Sequence, residues 1–257
     1  MISLALVSAT PVGPNWGVFP LFVLAYALTN FVVRGGWLAE AKPKGRSAWL
    51  RHIQLVALIH ALCLLPVLWS LGGAILLVGL IALHVILDML RVGLDRATGG
   101  DRLWVVFVDL GLHLVLLWFA ARQFPADAWP LFELDRRLGQ RLPWIAAIFA
   151  FNVHGASAIV RSTLRPWRAA QAPTDDDELP GAGHRIGILE RWILLGLVAS
   201  NQWGAVGLVL TAKSIARFKK MDDQRFAEVY LLGTMTSVLI AMASGGLMSL
   251  VLDSRLW

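Results

Sequence analysis

Two pairs of residues spaced four apart, His84 with Asp88 and Asp109 with His113, hold the chemistry most worth tracing in this sequence. Side chains at that spacing share one face of a helix, so each pair offers an imidazole and a carboxylate to the same neighbour. His60 adds a third imidazole in the preceding apolar segment. Three imidazoles and two carboxylates form a mixed nitrogen and oxygen donor set that suits a divalent ion such as zinc, manganese or iron, and suffices for two. An ion with an open position lowers the pKa of bound water, and a spare carboxylate acts as general base; Asp88 and Asp109 are the candidates for that catalytic role. The same residues also fit a structural use, as His–Asp hydrogen bonds that glue helices together at roughly 0.6 kcal/mol per contact. Proton or ion translocation is a third use.

The elements that must position these groups follow from composition. Of the 257 residues, 57% are hydrophobic and 16% charged, with a mean hydropathy of +0.65. Soluble domains average roughly 45–50% apolar and about 25% charged residues. The chain therefore reads as an integral membrane protein of the all-α class, a polytopic transmembrane helical bundle. A hydrocarbon core of ~30 Å takes about 20 helical residues, and the apolar runs predict six spans at 16–33, 52–69, 72–92, 103–121, 144–160 and 230–252. No alternation of period two supports a barrel. Residues 186–218 are too long for one span and are interrupted by Asn201-Gln202-Trp203-Gly204. They predict a C-terminal re-entrant or interfacial helical hairpin.

Orientation follows the basic loops. Residues 34–51 carry five Lys/Arg against one Glu, and 91–102, 161–168 and 213–225 are basic as well. With all four on the cytoplasmic side, the first five spans alternate from an outside N-terminus and the hairpin enters and leaves on one side. The expected setting is a bacterial inner membrane. Counted from the cytoplasmic helix ends at 1.5 Å per residue, His60, His84, Asp88, Asp109 and His113 fall in one layer roughly 5–15 Å deep, with Tyr26 and Asn30 of the first span. Each ionisable group there costs at least ~2.5–3.5 kcal/mol on insertion scales and so needs a partner or a purpose. A hydrolytic site at that depth suits a lipid or lipid-linked substrate.

The chain divides into a four-helix region with the candidate metal site (1–124), a polar segment with the fifth span and an acidic loop (125–185), and the hairpin with the last span (186–257). Residues 125–143 and the run Asp175-Asp176-Asp177-Glu178 read as extramembrane. Cys63, the one cysteine, excludes an intramolecular disulfide. His154 reads as a packing residue, while His52 and His184 stand at loop edges with no function required. Glu190-Arg191 suggests a local or interhelix ion pair, Lys213, Arg217 and Lys219 a snorkelling basic stripe, and Ala243-Ser244-Gly245-Gly246 a close helix contact. A net charge of +6 on a membrane chain points to lipid headgroups rather than nucleic acid. A membrane-protein partner or a second copy of the chain is also open.

On these residues the chain resembles a bacterial family of membrane proteins catalogued only as domain of unknown function 3307. The resemblance runs strongly over residues 18–125 and returns from Gly187-Ile188-Leu189-Glu190-Arg191 through 205–218 to 226–237. The family pattern has His-x-x-x-Asp-Phe in the first helix, His-Ala-Leu in the second, His-x-x-x-Asp in the third and Asp-Gln-x-x-His in the fourth. His60-Ala61-Leu62, His84 with Asp88, and Asp109 with His113 match it. Tyr26 replaces the first histidine, Asn30 the aspartate before Phe31, and Leu110 the glutamine. A distantly similar group is catalogued as membrane-bound metal-dependent hydrolases, which implies metal chemistry by analogy. The departures imply a single ion or a degenerate site kept for a non-catalytic scaffold or partner-binding role.

Overall fold

A computed structural model describes residues 18–33, 46–65, 71–100, 102–123, 136–168 and 181–253, of which 92% are helical with no strand. Eight α-helices follow in order: α1 Phe19–Ala27, continued by a π-helical stretch Leu28–Val33; α2 Arg46–Cys63; α3 Leu71–Thr98; α4 Leu103–Ala121; α5 Arg136–Arg168; α6 Ala182–Ala199; α7 Trp203–Ala216; and α8 Gln224–Leu252. Four stretches are long and apolar enough to cross a membrane: Leu71–Thr98, Leu103–Ala121, Arg141–Trp167 and Gln224–Leu252. Phe19–Val33, Leu50–Cys63 and Trp203–Ala216 are shorter apolar helices. The acidic run 175–178 lies outside the described residues, as do 124–135. From 136 onward the segment expected to be extramembrane is already helical.

Sequence dictates which face of each helix turns inward. On α3 the buried residues are Gly73, Leu80, His84 and Asp88, and on α4 they are Val105, Asp109, His113, Leu117 and Ala120. Both stripes advance by one or two helical turns. The outward faces carry exposed Ile75, Val78, Ile86, Met89, Val115 and Phe119. In water such faces would demand cover; in lipid the apolar side chains face the tails and the polar ones turn toward protein. Helix α1 is apolar on all sides and correspondingly buried along its whole length. It forms the axis of one bundle, packed by α2, α4 and α5, with Phe22 and Tyr26 among its largest buried side chains. Helix α5 also packs on α6 and α8, so it is shared with a second bundle that α7 completes.

Local signals set the turns. Gly99, with φ of 74°, ends α3, where the Gly100 amide donates to the Asp95 carbonyl and the Gly99 amide to that of Arg96. This left-handed cap sends α4 back along α3. Asn201, with φ of 58°, plays the same part after α6: the Gln202 amide donates to the Leu197 carbonyl at 2.8 Å and the Asn201 amide to that of Val198 at 3.0 Å. The interruption seen in the sequence is thus a helix stop, and α7 folds back so that Lys213 pairs with Glu190 of α6. Asp223 caps α8, its Oδ1 accepting from the amides of Arg225 and Phe226.

Candidate metal centre

Four helices bring the predicted polar residues together. The α3–α4 turn sets those helices antiparallel and in contact, so that Arg91 Nη1 donates to Asp109 Oδ2 at 2.5 Å. Farther along both helices, the rings of His84 and His113 stand 4.9 Å apart. Helix α2 adds His60, whose ring meets that of His84 at 5.6 Å, and α1 adds Tyr26, 4.7 Å from the His113 ring and 6.1 Å from that of His84. His60, His84, Asp88, Asp109 and His113 are all at most 6% exposed. They share one interior.

Within that interior the donors form two overlapping sets. His52, His84 and Asp88 place one nitrogen or carboxylate oxygen each within 4.8 Å of one another, and so do Asp88, Asp109 and His113. His60 borders the first set without joining it; its Nδ1 donates to the Val56 carbonyl at 2.9 Å. His113 Nδ1 donates to the Asp109 carbonyl at 2.8 Å, which leaves Nε2 with a bare lone pair. Among the described residues three buried atoms here have no hydrogen-bond partner: His84 Nε2, His113 Nε2 and Asp109 Oδ1. A buried polar atom left unsatisfied costs about 1–3 kcal/mol. A cation held between lone pairs recovers that cost, so the donor chemistry fits a divalent ion of the nitrogen and oxygen class.

His52 departs from the sequence expectation. It is buried, and its Nε2 bonds Asp88 Oδ2 at 2.7 Å. Helix α2 begins at Arg46 rather than near 52, so this residue already lies in its second turn. The available signal was the stripe His52, Val56, His60 and Leu64, spaced by four and all buried. Arg91 was grouped with the basic loop, yet α3 continues to Thr98 and carries it against Asp109. Asn30 is buried beside Tyr26, its Nδ2 donating to the Tyr26 carbonyl at 3.4 Å.

The second bundle also absorbs its polar residues. Arg191 does not pair with its neighbour Glu190, which binds Lys213 instead. It is 3% exposed and donates to the carbonyls of Asn152 and Val153 and to the hydroxyls of Ser157 and Ser237, tying α6 to α5 and α8. His154 Nδ1 donates to the Phe31 carbonyl at 2.7 Å, fastening α5 to the π-helical end of α1. No known family model, curated protein or solved structure matches the chain.

Proposed function

We propose that this chain is a multi-pass protein of a bacterial inner membrane whose first four helices hold a divalent metal ion for hydrolysis of a lipid or lipid-linked substrate near the cytoplasmic leaflet. In this reading α1 and α2 are short spans, the four long apolar helices complete a set of six, and α6–α7 is the re-entrant or interfacial hairpin. The observation that carries it is the pair of buried donor sets that share Asp88, beside a trio of buried atoms on His84, His113 and Asp109 that make no hydrogen bond among the described residues. Zinc, manganese or iron satisfies that trio, and when bound supplies an activated water. Asp88 and Asp109 are the catalytic carboxylates, and the family resemblance adds the expectation of hydrolase chemistry. The exposed apolar faces of α3 and α4 favour substrates that arrive through the bilayer.

Elemental analysis of the detergent-purified full chain tests this. Native protein should carry metal and His84→Ala should lose most of it; native protein with metal content near zero ends the enzyme reading.

A scaffold with a degenerate site is the second reading, favoured by the pairs His52–Asp88 and Arg91–Asp109, which give both carboxylates a partner without an ion. Arg91→Gln separates the two. Removing one partner of a fully buried ion pair costs about 3–5 kcal/mol; Arg91 is partly exposed, so the metal-free variant should lose less than that but still unfold earlier than the parent under either reading. Added zinc should restore most of that loss if the centre binds metal. A scaffold gives the loss without the rescue.

A further inference from the structure

Resting on the metal-dependent reading above, we infer that the centre is dinuclear, with Asp88 bridging two divalent ions and His52 a ligand of one of them. The geometry of the two donor sets points to this. They are His52, His84 and Asp88 on one side and Asp88, Asp109 and His113 on the other, every member buried, and Asp88 belongs to both. Ions in two-metal hydrolytic sites stand about 3.5–4 Å apart, a separation that one carboxylate spans through its two oxygens.

The first half takes its ion by a small movement. His52 Nε2 and Asp88 Oδ2 share a proton across 2.7 Å. A tetrahedral ion bonded to both at about 2.0–2.1 Å holds its donors about 3.3 Å apart, so an opening of roughly 0.6 Å exchanges the proton for the metal. His84 Nε2 already stands 3.6 Å from the same oxygen. In the other half, His113 Nε2 and Asp109 Oδ1 are buried without a hydrogen bond among the described residues, His113 Nδ1 standing 3.3 Å from Asp109 Oδ1, while Arg91 occupies Asp109 Oδ2. Two ions bring four positive charges against two carboxylates. The surplus favours an anionic substrate, and a phosphoester-bearing lipid supplies that charge at headgroup depth.

Manganese is the probe. Full-length protein in detergent is stripped with a chelator, titrated with Mn(II), desalted, and read by elemental analysis and electron paramagnetic resonance. The native chain should hold two ions with a spin-coupled signal. His52→Gln and His113→Gln should each hold one, uncoupled. One ion per chain at saturation, or two without coupling, overturns the dinuclear assignment and leaves the metal reading standing; no ion overturns both. Two coupled ions in His52→Gln would remove His52 from the ligand set. The native signal needs no variant, so a substitution that fails to fold leaves the central claim tested.

Discussion

Asp88→Asn should empty the centre of metal while leaving the helices assembled. Asp88 is wholly buried and is the residue that both donor sets require. Asparagine keeps its volume, and the amide oxygen still accepts from His52 Nε2, which now sits 2.7 Å from Oδ2. The metal-free variant should therefore lose only about 0.5–1.5 kcal/mol of stability, the net worth of a hydrogen bond. Metal is another matter. An amide carries no negative charge and bridges ions poorly, so affinity should fall by more than the ~100-fold that loss of an outer-shell partner costs. Equilibrium dialysis of zinc against stripped native and variant protein measures the first effect, and thermal unfolding without metal the second. If both proteins bind zinc alike, Asp88 is no ligand. A large loss of stability in the variant, with a native protein that binds no metal, would assign Asp88 to structural glue.

The i,i+4 pairs were legible because helical periodicity decides which side chains share a face, and a costly polar face in a lipid-exposed helix has only the protein interior to turn toward. His84, Asp88, Asp109 and His113 met on that ground alone. The stop between α6 and α7 was legible as an interruption, and Asn201 in the left-handed region shows its local cause. His52 was missed because a span beginning at it leaves it at a loop edge, although its spacing of eight from His60 puts both on one helix face. Of the local or interhelix pair expected at Glu190-Arg191, Glu190 makes the interhelix one and Arg191 makes neither. Adjacent Glu190 and Arg191 point in different directions on a helix, so neighbours in sequence were not partners in space; Lys213 reached Glu190 from across the hairpin turn, and Arg191 turned to carbonyls of α5. Long-range partners of this kind follow from helix packing, which a single sequence does not encode locally.

The second large effect should come from one glycine of the last helix and be absent from its neighbour. Small residues let membrane helices approach until backbone meets backbone, and the run Ala243-Ser244-Gly245-Gly246 places two glycines side by side. Only one of them faces α6. A Cβ on Gly245 would lie 2.6 Å from the Val198 Cβ and 2.9 Å from the Leu195 carbonyl oxygen, whereas one on Gly246 meets nothing within 4 Å. The Leu195 oxygen is backbone and cannot rotate away, so Gly245→Ala must push α6 and α8 apart. Overpacking of this kind costs about 1–3 kcal/mol. The separation also strains the neighbouring bonds from Asn152 Nδ2 to Ser244 and from Arg191 to Ser157, which hold α5 to the same pair of helices. Gly246→Ala should be neutral or gain up to about 1 kcal/mol from improved helix propensity. Denaturant titration of both variants in one detergent decides the matter, and equal midpoints for the two would mean that α6 and α8 do not pack through Gly245.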